Sequence, residues 1–424
     1  MSEAIQSGAI QGEAMQTEPV LSKPVHPVDE ILPLPKLFAL GLQHVLVMYA
    51  NAVAVPLIIG GALHLPKDQM AMLINADLFA CGIATLIQTV VFGPFGIRLP
   101  IIMGVTAVSI SPMLAMAAMP GVGLTGIYGA VLVGGIFGLC VAPFVKYVLR
   151  FFPAVVTGTI ITMIGVVLMR VGVNWAGGGA AGRFRCRRVS GGGRARACRD
   201  PPGDQIHPRV SAECRGADRH HGRLSPHHRA RLDGFSGIAE EPIVRVVMPL
   251  QFGMPQFFLI PSLTMCLVVM IVFIEATGMF LALGAMTGRK VDADDVKRGL
   301  RADSLGTVIG AIFNTFPYVS YSQNIGLVGV TGVYSRWVCV AGGVIMLVLG
   351  LIPKLAFIVA SVPQCVLGGA GFIMFGMVAA TGIKILATVD YANQRHSVLV
   401  VAIAIGFGLI PIVSPNFFHV FRIN

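Results

Sequence analysis

Apolar residues run along this chain in long blocks separated by short polar turns. Blocks of about 20 residues, the length that crosses a bilayer as a helix, fall near 37–60, 70–92, 101–118, 125–145, 151–173, 259–287, 337–353, 356–384 and 396–413. Two shorter pieces lie around 304–332. The pattern predicts an all-α polytopic membrane protein.

Two stretches break the pattern. NTFPYVSYSQNIGLVGVTG (314–332) carries Pro317, strand-forming Tyr318, Val319 and Tyr321, and three glycines. Pro317 blocks a continuous helix, and the glycines weaken the helical tendency of the residues after it. LPIIMGVTAVSISPM (99–113) is interrupted in the same way, by Pro100, Gly104, Thr106, Ser109, Ser111 and Pro112. Irregular backbone at membrane depth is tolerated only when it is buried in protein or lines a cavity. Two interrupted spans in corresponding halves of a chain point to a binding site between them. A half-helix starting near Ser322 would aim unpaired N–H groups and its positive dipole end into the protein. Each stretch read alone is equally a kinked span whose hydroxyls bond its own backbone.

Composition agrees with the pattern. Hydrophobic residues make up 55% of the chain, charged residues 12%, and mean hydropathy is +0.79, where soluble domains carry roughly 25% charged residues. Residues 1–35 form a polar N-terminal tail without the basic start and apolar core of a signal peptide, so the first span doubles as the targeting signal. The eight cysteines include no C-x-x-C pair, which argues against a metal site or disulfides.

The net charge of +11 would suggest nucleic acid if it were spread over the chain. It is not. Between Arg183 and Arg231 lie 13 Arg, no Lys and four acids, a local +9, leaving +2 elsewhere. The segment 182–234 lacks apolar periodicity and cannot span a bilayer, since each central Arg costs about 3 kcal/mol. Its Arg, Gly, Ala, Pro and His content without Lys reads as an out-of-frame stretch of a GC-rich gene replacing two spans. A basic loop for anionic lipid or nucleic acid is the lesser reading. Basic residues cluster in alternate loops: Arg98; Lys146 and Arg150; Arg289, Lys290, Lys297, Arg298 and Arg301; Arg336; Lys384 and Arg395. By the positive-inside rule these loops and the N-terminal tail face the cytoplasm.

Ionisable residues inside apolar blocks mark ion or substrate pathways. Glu275 lies in MIVFIEATGMFLALGAM with no basic residue within a helical turn. Asp303 opens the next block, and His44 sits in the first, in GLQHVLVMYANAVAVP. His44 bonded to neighbouring backbone is as good a reading as direct ligand contact. Asp77, in the second block, reads as a buried structural partner. No paired acids, nucleophile–base spacing or phosphate loop suggests an enzyme.

These residues resemble a known family, the nucleobase–ascorbate transporters or xanthine/uracil permeases. The family signature is Gln, Glu or Pro, then Asn, any residue, Gly, four residues, Thr, then Arg, Lys or Gly. It is matched in full by Gln323, Asn324, Ile325, Gly326, LVGV, Thr331 and Gly332. A Gln-His pair in the first span is present as Gln43-His44, the acid of the eighth family span as Glu275, and the acid opening the ninth as Asp303. The resemblance covers nearly all of 36–413 apart from the Arg-rich segment.

The resemblance implies fourteen spans in two inverted seven-span repeats, divided into core and gate domains, with two spans built as short strand plus half-helix. On that frame 36–175 is the first repeat, spans one to five, and 235–424 the second repeat, truncated at its C-terminal end, so the chain is incomplete relative to fourteen spans. The implied function is import of a nucleobase with a coupling ion, H+, and no other cofactor, in the inner membrane of a bacterium, with a homodimer as the family's assembly.

Carried over, Glu275 and Gln323 would bind the base, Asn324 would support Gln323, and Asp303 and Glu275 would serve proton coupling. His44 and Gln43 would be polar pins, Gly326 and Thr331 structural members of the signature, and Thr106 a substrate-side residue. Phe316 or Tyr318 is expected to stack on the base. Gln323 and Met279, where other members carry Glu and Asp or His, resemble purine members, so xanthine or uric acid is the expected substrate. A uracil permease of the same family, or a transport-inactive truncated or frameshifted relative, is the alternative.

Overall fold

The computed structural model describes residues 26–148, 153–176, 244–360, 364–391 and 395–413. The Arg-rich segment 182–234, most of the N-terminal tail and the chain after 413 lie outside the described residues, so the readings made for them are not addressed by it.

The helices in chain order are α1 (Leu34–Ala62), α2 (Lys67–Val90), α3 (Ile110–Ala117), α4 (Gly123–Val141), α5 (Val145–Val148), α6 (Ala154–Ala176), α7 (Leu259–Thr287), α8 (Ala293–Ile312), α9 (Ser322–Thr331), α10 (Arg336–Gly350), α11 (Pro353–Ala360), α12 (Gln364–Leu386) and α13 (Arg395–Val413). Among the described residues, four helical stretches are long and apolar enough to cross a membrane: Leu34–Ala62, Lys67–Val90, Gly123–Phe144 and Leu259–Thr287.

The structure resolves two apolar blocks further, and one polar stretch differs from its sequence reading. The block 101–118 holds a strand, β1 (Met103–Val105), before α3. Within the block 356–384 the described residues belong to α11 and α12, with 361–363 outside the described residues. The basic stretch read as a loop is partly helical: Asp292 caps α8 by accepting from the Asp295 N–H at 2.8 Å, while the Asp295 side chain accepts from the Asp292 N–H. This capping box satisfies two end donors, so Lys297, Arg298 and Arg301 stand on α8, where the hydropathy pattern could not show a helix.

The helices pack in two groups. In one, α2 runs against α10, α11 and α8, with α1 on α10, while α4 packs on α7 and α8. In the other, α6 packs closely on α12 and carries α13 on a further face. Small residues meet at the α6–α12 seam: a methyl at Gly165 would come within 2.3 Å of the Ala379 backbone, and one at Gly382 within 2.3 Å of the Thr162 backbone. Such seams let helix backbones approach where burial in lipid supplies little driving force. The second group meets the first through limited contacts of α12 with α1 and of α6 with α7.

At the middle of the first group, β1 pairs antiparallel with β2 (Tyr318–Ser320), in the register Met103–Ser320, Gly104–Val319 and Val105–Tyr318. Each strand leads at once into a short helix, β1 through the 3-10 turn Ala107–Ser109 into α3, and β2 into α9. These six strand residues are buried.

Candidate functional site

Two proline-interrupted segments become a strand pair because each meets the backbone needs of the other. The Thr106 N–H donates to the Pro317 carbonyl and the Tyr321 N–H to the Ile102 carbonyl, both at 2.9 Å, extending the ladder past each strand. Backbone groups with no water near them are thereby paired, as a low-dielectric interior requires.

The period of two in β2 then separates two chemistries. Tyr318 and Ser320 share one face, directed at α2 and α8. Val319 faces the other way with Gly104, and the Tyr321 ring lies over Gly104. A methyl at Gly104 would fall 2.0 Å from Cε2 of that ring, so only glycine admits the aromatic there. The Tyr321 hydroxyl donates to the Val105 carbonyl at 3.1 Å.

On this second face lies a small cavity. Its walls are Val105, Ala107 and Val108 from the β1 segment, Val319 from β2 and Tyr321 just after it, Gln323 from the first turn of α9, Glu275 from the middle of α7, and Val378 and Thr381 from α12. The cavity is closed to about 20 Å³, little more than room for one water. Any planar ring therefore requires the walls to part. Glu275 Oε2 is buried without a hydrogen-bond partner, and the Thr381 hydroxyl donates to its own helix at the Met377 carbonyl, 2.9 Å away. Tyr321, the N-cap of α9, makes no side-chain capping bond there, and Gln323 stands in the first turn of that helix. The arrangement offers a carboxylate, an amide and an aromatic ring in an otherwise apolar slot.

The expected site residues distribute unevenly around it. Glu275 and Gln323 line the cavity together. Thr106 does not; its hydroxyl accepts from the Val108 N–H at 3.3 Å and caps the following turn. Met279, one turn beyond Glu275, packs partly buried against the core and is not on the wall.

The aromatic expectation needs correction. Phe316 is fully buried with its ring 6.4 Å from that of Tyr128. Tyr318 turns to α2, donating to Asp77 Oδ1 at 2.8 Å while contacting the Thr315 hydroxyl at 2.7 Å. Neither lines the cavity; the ring that does is Tyr321, because the strand period carries 318 and 321 to opposite sides. Asp77 is the buried partner of Tyr318.

Asn324 does not reach toward Gln323. Its Nδ2 donates to the His44 backbone carbonyl at 3.1 Å and meets His44 Nδ1 at 3.0 Å. This ties α9 to α1 and leaves His44 almost fully buried. Gln43 is exposed on α1 and pins nothing in this arrangement. Gly326 is exposed, with no side-chain neighbour near it. The Thr331 hydroxyl bonds back to the Leu327 carbonyl at 2.8 Å, and Gly332, at φ 65°, closes α9 in the left-handed conformation that favours glycine. The signature thus spells one capped half-helix.

Asp303 lies on α8, on the first face of β2. Its Oδ1 accepts from Gln88 Nε2 and from the Ser320 hydroxyl, each at 3.0 Å. The Thr307 hydroxyl, one turn on, donates to the Asp303 carbonyl at 3.0 Å and accepts from the Tyr318 N–H at 3.1 Å. Gln88, Ser320, Tyr321 and Thr381 escaped sequence reading. Gln88 had a signal, an amide in the apolar run ATLIQTV, but nothing in the pattern says which helix it meets.

The chain matches the Permease family profile over residues 35–187 and 230–417. It is 46% identical over 411 residues to the uric acid transporter UacT of Escherichia coli (strain K12), a match covering 93% of this chain and 83% of that protein. It is 37% identical to the xanthine permease of Bacillus subtilis (strain 168), over 90% of this chain and 87% of that one. Among solved structures, the transmembrane domain of a cyanobacterium bicarbonate transporter, BicA, shares the fold with a TM-score of 0.50 at 17% identity, covering 87% of this chain and 96% of that domain.

Proposed function

Starting from a chain that belongs to the Permease family, we propose that it carries a purine nucleobase, xanthine or uric acid, across the bacterial inner membrane by proton symport. The observation that carries this reading is that Glu275 and Gln323, from two different helices, line one small cavity with the Tyr321 ring. A purine edge alternates N–H donors with carbonyl acceptors. A carboxylate accepts from the first, and an amide serves both. The Tyr321 face supplies offset stacking to a flat ring.

The relatives named for uric acid and xanthine support a purine over uracil, as does Gln323. Proton coupling falls to the two membrane-embedded carboxyls, Glu275 in the cavity and Asp303 behind β2, since intramembrane acids are the usual proton carriers. The group α6, α12 and α13 serves as the gate domain of an inverted-repeat carrier, and the group around the strand pair as its core. Parting of α12 from Glu275 and Gln323 opens the cavity. Alternate-loop basic residues put the N-terminus in the cytoplasm, and a homodimer is the proposed assembly.

Uptake of radiolabelled uric acid and xanthine, in cells lacking their own purine carriers, tests this. Uptake of one or both is expected, with little competition from uracil. Glu275→Gln should lower it at least about tenfold, the loss of one charge-assisted hydrogen bond. Strong competition by uracil alone would establish a uracil permease instead, and full uptake by Glu275→Gln would remove that residue from the site.

A further inference from the structure

Gln88 stands two residues from the end of α2 with its side chain fully buried. Its Nε2 meets three acceptors: Asp303 Oδ1 at 3.0 Å, Ser320 Oγ at 3.2 Å and the Gly299 carbonyl at 3.3 Å. Two hydrogens serve all three, so one is shared. Ser320 also donates to Asp303 Oδ1 at 3.0 Å. Every donor of these three side chains is in use. Two acceptors, Gln88 Oε1 and Asp303 Oδ2, are buried with no partner. Orphan acceptors in a low-dielectric interior are costly. Both unfilled oxygens belong to the pair that already meets through Nε2 and Oδ1.

We propose that Gln88 is the positioning residue that conveys the ionisation state of Asp303 to strand β2. With Asp303 ionised, the amide holds the carboxylate and Ser320 together through Nε2. When a proton from water enters on Asp303 Oδ2, the carboxyl becomes a donor. Half-turns of the carboxyl and of the Gln88 amide then bring the Oδ2 proton to Oε1 and withdraw Nε2 from Ser320 and from the Gly299 carbonyl. Ser320 ends β2, next to Tyr321 and three residues before Gln323 on the cavity side, so the exchange of one hydrogen bond alters how the substrate wall is anchored. Gln88 touches no substrate. The inference rests on the reading of Asp303 as a coupling group.

On the elements packed against α8, the titratable groups are Cys266 and Glu275 on α7, Lys67, Asp68, Asp77 and Cys81 on α2, Tyr128 and Cys140 on α4 and Tyr318 on β2, with Asp294, Asp295, Lys297, Arg298 and Arg301 on α8 itself. Glu275 is a second buried acid on a helix that packs on α8, so the assay has to separate the two acids.

The full chain, reconstituted in liposomes, is assayed for radiolabelled uric acid uptake as external pH is varied, for the parent, Gln88→Leu, Gln88→Glu and Asp303→Asn. Removing donors from the ionised carboxylate favours its protonated form. Gln88→Leu should therefore move the midpoint of the pH profile upward by about one unit or more. Gln88→Glu, equal in size, should do the same because two neighbouring acids share one proton, and it decides the matter if Gln88→Leu does not fold. Asp303→Asn should flatten the profile. If the Gln88 variants lose rate but keep the parent midpoint while Asp303→Asn flattens the profile, Gln88 only packs and this proposal alone falls. If Asp303→Asn keeps the parent profile, the coupling role of Asp303 falls and takes the proposal with it.

Discussion

Taking one oxygen from Tyr318 asks what the first face of β2 is for. The hydroxyl donates to Asp77 Oδ1 at 2.8 Å, and Asp77 is fully buried with Oδ2 unpartnered. Tyr318→Phe deletes this donor without opening a side-chain-sized hole, so the cost is electrostatic. Neutral interhelical hydrogen bonds in membrane proteins average about 0.6 kcal/mol, whereas bonds to a charged acceptor are worth about 1.5–3. An ionised or proton-sharing Asp77 belongs near the lower end of the second range, giving about 1.5 kcal/mol of destabilisation. The assay is denaturation of the purified protein in detergent for Tyr318→Phe, Asp77→Asn and the double variant. Residues in one network are not additive, so a coupling energy of about 1 kcal/mol is expected between them. The KM for uric acid should stay within about twofold of the parent, because Tyr318 is absent from the cavity wall. An unchanged stability with a raised KM would refute the reasoning and return Tyr318 to the substrate side.

Three further outcomes rest on single contacts. Gly104→Ala should leave the protein inserted but raise the KM for base at least about tenfold, because the methyl displaces the Tyr321 ring; an unaltered KM would detach that ring from the site. Asn324→Ala, which removes both bonds of the α9–α1 tie, should lower uptake more than His44→Ala, which removes only the ring contact and leaves the backbone carbonyl, and the double variant should be no worse than Asn324→Ala alone; additive losses would show two separate roles. Arg336→Ala should lower stability more than Asp29→Ala. Arg336 binds Asp29 at 2.6 Å, donates to the Thr89 carbonyl at 2.9 Å and lies over the Trp337 ring at 4.7 Å, whereas half-exposed Asp29 contributes one screened pair of under about 1 kcal/mol.

Much of the architecture was legible because bilayer depth dictates composition. Apolar blocks located most long helices within a few residues, and the prolines and glycines of 99–113 and 314–332 marked the two strands. The features that stayed hidden did so for physical reasons. The start of α8 is polar and charged, and its helicity comes from the Asp292–Asp295 capping box, so a search for apolar runs reads it as loop. Which aromatic lines the cavity was not legible because a three-residue strand offers no alternation long enough to fix its faces; only the register against β1 assigns Tyr318 to Asp77 and Tyr321 to the cavity. Gln88 and Ser320 were invisible as partners because they are 232 residues apart, and no local pattern carries that pairing.

The strand pair explains why those hidden residues matter together. A continuous helix across 314–332 would spread its side chains around a cylinder and pair its backbone internally, leaving nothing to link the two chemistries. A strand does the opposite: it commits alternate residues to opposite faces and borrows its backbone partners from elsewhere, here from β1 and from Thr307 of α8. Tyr318 and Ser320 thereby engage the carboxyls of α2 and α8, while Val319 and Tyr321, one bond away in each case, form the wall shared with Glu275 and Gln323. A shift of the Ser320 backbone toward or away from Asp303 reaches Tyr321 through one planar peptide, with only the flanking torsions to absorb it. Coupling between a buried acid and a substrate wall then needs no long pathway, only the thickness of one strand.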